Sequence, residues 1–503
     1  MTSRQAIPAA SVISSSVPRQ TKLVCTIGPA SAGRLHELIE AGLDVARVNF
    51  SHGTADEWAA SVSAVRRAAE ETGRPVAVLA DLGGPKIRLG MLEAGAAELR
   101  EGSRFTLHST QRAGDATGAT VSYRGLPQDL RAGDRILLAD GAAELRVVET
   151  SGDRVETVVV RGGLVRSEAG VNVPSEHLSL PGLTAKDRRD ARVALDLGVD
   201  FVGQSFVRSA ADVRALRRLL GPGGPRIVAK IETSAAIAAI DGILEVADAL
   251  MVARGDLGVE VPFEDVPLLQ KMLVHRALAV GRPSIVATQM LESMVAAPRP
   301  TRAEASDVAN AVLDGADAVM LSAETAIGEY PVEAARAAVR IVDAVERRSL
   351  PEAPAARTPV RPAGRVPGHP AGEDRVPRGS VGLDAAEPII WAAAALAQRE
   401  AGVRAIATFT RSGLSAELLS ALRPGIPIVA MSPDPACLRR LALWRGVVPR
   451  PTGDAAGTDE IIALIDRELQ ALPFLQSGDP VLVVASSPSG VPGSNLLALH
   501  RLR

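Results

Sequence analysis

Eight short apolar runs set the rhythm of the chain. They are LVCTI from Leu23, DVARVNF from Asp44, VAVLAD from Val76, DFVGQSFV from Asp200, RIVAKIE from Arg226, ADALMVARGD from Ala247, SIVATQM from Ser284 and ADAVMLSAE from Ala316. Most are followed by a helical pattern. Continuous apolar strands alternating with helices predict a parallel sheet covered on its outer side. Eight of them predict a (β/α)8 barrel rather than an open sheet, with its active site at the strand ends. Polar residues stand at those ends: Asn49, Ser51, Asp81, Lys230, Glu232, Asp256 and Thr288.

The rhythm breaks between Asp81 and about Thr184, where short runs such as RFTLHS, RILLAD and VETVVV are separated by Gly-Asp turns. This predicts a small β-barrel domain inserted at the top of the third strand, placed to act as a lid. Residues 1–20 read as a disordered tail, and 21–84 with 184–349 as the catalytic barrel. The lid spans 85–183, and 350–382 is a linker rich in Pro, Arg, Gly and Ala. Residues 383–503 resume the alternation as a third, α/β domain with strands at VRAIATF, IPIVAM and DPVLVVAS. Within it FTRSGLSAELL runs from a strand through a Ser-Gly turn into a helix near Leu414, whose exposed N–H groups suit a phosphate or a simple cap.

Composition narrows the function. A chain of 503 residues needs more than one core. With 47% apolar but only 2% aromatic residues, those cores must be packed with Val, Leu, Ile and Ala. A formal charge of -2 with no long basic block argues against a nucleic-acid surface. The two cysteines, Cys25 and Cys437, make neither a disulfide scaffold nor a multi-cysteine metal site. Charges and prolines interrupt every apolar run, so no membrane span is expected and a cytoplasmic location is.

Of the 56 basic residues only Lys22, Lys86, Lys186, Lys230 and Lys271 are lysines. A chain that uses arginine elsewhere keeps a compact ammonium where chemistry needs one. Lys22 and Lys271 carry no assignment. Glu232 and Asp256 end successive predicted strands and supply two hard oxygen ligands, the donor set Mg2+ or Mn2+ takes when water and substrate fill the rest. Gly255 is expected to let the backbone approach closely beside Asp256. Arg47, Arg88, Lys186 and Lys230 fall at strand ends or lid hinges and suit phosphate or carboxylate oxygens, as phosphoryl transfer requires. No G-x-x-x-x-G-K-[ST] motif is present, and D-L-G-G-P-K does not replace it.

The blocks TKLVCTIGPAS, GLDVARVNFSHG, DLGGPKIRLG, LPGLTAKD, IVAKIE, MVARGDLGVEVP, IVATQMLESM and PTRAEASDVANAVLDGADAVMLSAETAIGEYP, with TRSGLSAELLSALRPGIPIVA, resemble the pyruvate kinase family in sequence and order. The resemblance implies transfer of a phosphoryl group from phosphoenolpyruvate to ADP, giving pyruvate and ATP. Lys230 then matches the lysine that contacts the transferring phosphoryl group and the enolate oxygen, and Glu232 and Asp256 match the divalent-metal ligands. Thr288 matches the threonine near the enolate carbon, and Arg47, Lys230, Gly255, Asp256 and Thr288 contact substrate. Arg47, Asn49, His52, Arg88 and Lys186 match the nucleotide side of the site, where Arg88 and Lys186 help close it.

Asn49, Ser51, Asp81 and Leu82 resemble the family's monovalent-cation site, with two departures. Lys86 stands where potassium-dependent members carry glutamate, and Leu82 where they carry threonine. A fixed ammonium there implies activity without added K+, as in the lysine-bearing branch. TSAA after Glu232 and Ala323 in place of a common glycine are smaller departures that spare the ligands. The resemblance also implies a homotetramer and a phosphorylated allosteric effector held by Thr410, Arg411, Ser412, Gly413 and Ser415. Two alternatives stand beside it, a Mg2+-dependent enolate lyase or aldolase on the same barrel and a catalytically weak metabolite sensor.

Overall fold

The structure, a computed structural model, describes residues 17–174, 178–349, 383–400, 402–455, 457–485 and 495–503. The expected linker at 350–382 and most of the expected tail lie outside the described residues. The chain divides into two compact units, one of residues 21–372 with 442–445 and one of residues 1–20, 373–441 and 446–503.

In the larger unit all eight apolar runs are strands: β1 (Lys22–Ile27), β2 (Val45–Asn49), β3 (Ala77–Asp81), β4 (Phe201–Gln204), β5 (Arg226–Ile231), β6 (Ala249–Ala253), β7 (Ser284–Ala287) and β8 (Ala318–Leu321). Each pairs in parallel with its sequence neighbours and β1 closes on β8, so the sheet is a closed barrel. Both faces are dry. Val24, Leu79, Phe201, Val228, Met251 and Ile285 fill the interior, while Leu23, Val48, Ile227 and Val286 join the shell beneath the helices. This two-sided burial is why the strands read as unbroken apolar runs.

Local chemistry ends the loops above the barrel. Helices α1 (Ala55–Thr72), α2 (Ala185–Asp196) and, later in the chain, α5 (Arg302–Leu313) each open on a threonine capping box: Thr54 with Glu57, Thr184 with Asp187, Thr301 with Glu304. Between them α3 (Arg254–Glu260) starts directly from β6, and α4 (Val266–Ala279) follows it. Asp187 also accepts the Gly84 N–H at 2.9 Å, so the second box pins the chain where the lid begins.

The lid has its own core of Leu99, Phe105, Leu107, Leu126, Ile136 and Leu145. Its ladder is a six-stranded sheet, with Val171–Asn172 at one edge and Gly118–Thr120 at the other. Arg88 bridges Gly170 and Leu89 bridges Val121, so single bridges rather than a continuous ladder draw the two edges together.

The smaller unit holds β9 (Ala405–Phe409), β10 (Ile428–Ser432), β11 (Val447–Pro451), β12 (Pro480–Ala485) and β13 (Leu496–Arg501), in the order β11-β10-β9-β12-β13. Only β13 runs antiparallel. The order reverses between β9 and β12, the switch point at which doubly wound sheets bind ligands.

Candidate active site

Asp81 ends β3 at the heart of the barrel mouth, and two cations compose its surroundings. The Arg47 guanidinium, from the neighbouring β2, donates to its Oδ2 through Nε at 2.8 Å and Nη2 at 2.7 Å, and through Nη1 to the Thr26 hydroxyl at 2.9 Å. The Lys230 ammonium, from β5, lies 3.3 Å from Asp81 Oδ1 and 3.0 Å from Glu232 Oε1, and donates to the Ser205 hydroxyl at 2.7 Å. Glu232 is 1% exposed and accepts the Phe206 N–H at 2.6 Å on its other oxygen.

These groups set one another's charge. Burial pushes the Asp81 carboxyl up, but the Lys230 ammonium and the Arg47 guanidinium outweigh it and hold the group below the usual carboxylate range. Burial pulls the Lys230 ammonium down, and the Asp81 and Glu232 carboxylates more than offset this, keeping it protonated. Glu232 goes the other way: burial, with the Asp256 charge added, raises it more than Lys230 lowers it. Two carboxylates therefore repel one another at Glu232 and Asp256. Among the described residues no set of three His, Cys, Asp or Glu side chains gathers to hold a metal. A repelling pair of hard carboxylate donors fits Mg2+ or Mn2+, whose other ligands come from water and substrate.

Asp256 lies in the first turn of α3, and its partner is Lys86, at 2.9 Å. Lys86 also lies 3.7 Å from Asp140 of the lid. Its ammonium is thus drawn to the proposed metal ligand, while the Asp81 carboxylate is served by Arg47 and Lys230. Asn49 pairs in register with Asp81 and its Oδ1 accepts the Ser51 N–H at 3.1 Å. Leu82 is buried, its N–H on the Gly203 carbonyl and its carbonyl accepting the Ser205 hydroxyl.

Thr288 follows β7 with φ 72°, next to Gln289 at 54°, and Phe206 stands at 53°. Left-handed backbone costs a β-branched residue about 1–3 kcal/mol, a cost met at sites where surrounding contacts enforce it. Here the Thr288 hydroxyl accepts the Gly255 N–H at 2.7 Å and donates to the Ala287 carbonyl at 2.6 Å. At Gly255 an added Cβ would sit 3.5 Å from Thr288 Oγ1, an ordinary contact, and the residue supplies its N–H to that hydroxyl. Close approach is required at Gly203 instead, where a Cβ would come within 2.8 Å of Asp81 Oδ1.

The remaining residues stand outside this cluster. Lys186, in α2, is 48% exposed, donates to the Phe50 carbonyl and to Asp190 at 2.6 Å each, and lies over the Trp58 ring. Arg88 is an exposed lid residue donating to the Glu168 carbonyl at 3.0 Å. His52 is exposed, and its carbonyl accepts the Trp58 indole N–H. In the smaller unit Thr410 Oγ1 accepts the Gly413 N–H at 2.9 Å, Ser412 faces the Leu414 N–H at 3.4 Å, and Arg411 pairs with Asp454 at 2.6 Å. Helix α6 (Leu414–Ala421), which includes Ser415, starts there after Gly413 at φ 92°.

Four contributors escape sequence reasoning. Ser205 and Thr26 end apolar strands as the chosen residues do, so that signal was present for them. The Phe206 amide depends on a backbone turn with no side-chain signature. Arg254 stands one residue before Gly255, and its guanidinium donates to the Thr288 carbonyl at 2.7 Å.

Residues 18–335 match the family described as Pyruvate kinase, barrel domain, and residues 388–500 the one described as Pyruvate kinase, alpha/beta domain. The chain is 42% identical to a pyruvate kinase of Geobacillus stearothermophilus, over 96% of this chain and 80% of the relative. It is equally similar to those of Corynebacterium glutamicum and Mycobacterium tuberculosis, over 96% of this chain and 98% of each relative. Neither a lyase nor a sensor is among these relatives. With the barrel, its strand-end charges and both family matches in agreement over nearly its whole length, the chain belongs to the pyruvate kinase family.

Proposed function

We propose that the chain transfers the phosphoryl group of phosphoenolpyruvate to ADP, giving pyruvate and ATP, with Mg2+ or Mn2+ held by Glu232 and Asp256. The observation that carries this reading is the buried Lys230 ammonium, fixed between two carboxylates and a hydroxyl at the barrel mouth. In the reaction the P–O bond to the enol oxygen breaks with its electron pair left on that oxygen, a terminal oxygen of ADP bonds to phosphorus, and the enolate takes a proton at C3. Lys230 opposes the charge gathering on the enol oxygen, and a preorganised cation in a dry site does so without reorganisation. Arg47, its fork held by Asp81 and Thr26, takes phosphoryl oxygens. Thr288 with the Gly255 N–H and Asp256 borders the enolate carbon. The dication, when bound, neutralises carboxylate and phosphoryl oxygens of the substrate. Arg88 and Lys186, both solvent-facing, serve the nucleotide together with Asn49 and His52.

Lys86 places a permanent ammonium at the Asp256 side of the cluster, which supports activity without K+. The turn Thr410–Gly413 follows β9 at the switch point of the smaller unit's sheet, which supports a phosphorylated effector there. The enzyme is read as a cytoplasmic homotetramer without nucleic-acid or membrane partners. Among the described residues no helix is long and apolar enough to cross a membrane.

Pyruvate formation from phosphoenolpyruvate and ADP with Mg2+ tests the reaction. We expect turnover by the purified chain, and a folded Lys230→Met variant with kcat lower by about 10²–10³-fold. An inert wild type would sink the reaction, and an unimpaired variant the assignment of Lys230.

A further inference from the structure

One buried arginine beside the site has no part in the chemistry above. Arg254, the first residue of α3, keeps 11% of its side chain exposed. Its Nη1 donates to Asp307 of α5 at 2.7 Å, and to Gln270 of α4 at 3.4 Å. Its Nη2 donates to the Thr288 carbonyl at 2.7 Å and meets Met290 Sδ at 2.9 Å. One end of the fork is thus anchored by a carboxylate on an outer helix, and the other grips the backbone of the strained residue.

That grip has a chemical consequence. With φ at 72° for Thr288 and 54° for Gln289, two consecutive residues sit in the left-handed region, which disfavours a β-branched side chain. A charge-assisted bond to the Thr288 carbonyl holds the peptide in that turn, and in that turn the hydroxyl receives the Gly255 N–H. The hydroxyl proton is already committed to the Ala287 carbonyl. What remains to a ligand is an oxygen lone pair, so Thr288 orients a proton-bearing group, such as water, and is not itself the acid.

We propose that Arg254, anchored on Asp307, is a positioning residue for the protonation half of the reaction. It sets the Thr288 oxygen that aligns water against C3 of the enolate. The step is addition of one solvent proton to C3 as the charge on the C2 oxygen collapses into the ketone, with no redox partner. This rests on the reaction proposed above. Arginine is required because its two terminal nitrogens serve Asp307 and Thr288 at once, whereas a lysine offers a single nitrogen.

The test compares wild type, Arg254→Met, Arg254→Lys and Asp307→Asn in two assays: steady-state turnover, and deuterium incorporation at C3 of pyruvate followed by NMR. Arg254→Met should lower kcat and the exchange rate by about a hundredfold, the scale of an ångström of misplacement at a reacting centre, with KM for phosphoenolpyruvate little changed. Arg254→Lys should recover about tenfold of that loss, keeping one of the two contacts. Exchange within twofold of wild type in folded Arg254→Met, or a loss confined to a raised KM, overturns the proposal. If Arg254→Met does not fold, Asp307→Asn decides: its acid is 35% exposed, slowed exchange at unchanged KM supports the role, and wild-type exchange removes it. Absence of turnover in the wild type would instead strike the underlying reaction.

Discussion

Lys86 shows how a single side chain changes meaning once its neighbours are placed. The sequence marks it as one of few ammonium groups, but its partner could not be read from the chain, because the docking of the lid decides it. The ammonium sits on Asp256, with Asp140 behind it. Reversing the charge tests whether that ammonium spares the enzyme a bound K+. Wild-type turnover should be the same in sodium, potassium and tetramethylammonium salts, and Lys86→Glu should fall in sodium and tetramethylammonium and recover only in potassium. Strong K+ stimulation of the wild type would reject this role. By contrast, Arg47, Asp81, Lys230 and Glu232 were legible from sequence, because a barrel brings the ends of all its strands to one place whatever their separation in the chain. Ser205 and Thr26 carry no motif that singles them out from other strand residues, although their hydroxyls complete the bonding of Lys230 and Arg47.

Strand register turns one glycine into a structural requirement. Gly203 of β4 pairs with Asp81 of β3, and the missing Cβ leaves the space the carboxylate occupies. Gly203→Ala should cost about 1–3 kcal/mol, the usual penalty of overpacking, and should also lower kcat by displacing Asp81 from Lys230. Urea unfolding alongside turnover measures both, and a stable, fully active variant would contradict it. In the lid, burial and then a hydrogen bond to Asp129 push the Tyr123 phenol up to about 12. A raised folded value means its contribution is complete below the unfolded value of about 10 and is lost as pH rises through the folded one. Thermal stability should therefore fall between about pH 10 and 12, and Tyr123→Phe should flatten that fall. The barrel strands were legible because both faces are apolar, but β11 and β13 were missed. β11 carries Pro449 and Pro451, which a sheet tolerates at an edge, and it stands at the edge. β13 is the opposite edge, half exposed and polar at His500 and Arg501.

Over the whole molecule, the order of apolar runs fixed the fold class, since eight strand-helix repeats admit few architectures. Lid closure was not legible at the level of pairing, because single bridges at Arg88 and Leu89 leave no periodic trace in sequence. Function came from long motifs in series, each too short to decide alone. The rarity of lysine has one more consequence, which concerns reagents. Lys22 and Lys230 keep 6% and 11% of their side chains exposed and Lys86 25%, against 48% for Lys186 and 45% for Lys271. An acylating probe followed by peptide mass mapping should mark Lys186 and Lys271 first, and ATP with Mg2+ should shield Lys186 alone. Equal shielding of both, or of neither, would separate Lys186 from the nucleotide. Where most enzymes scatter amines over their surface, this one offers a nearly blank coat of guanidinium groups, so each acyl group incorporated can be assigned to one residue and inactivation counted lysine by lysine.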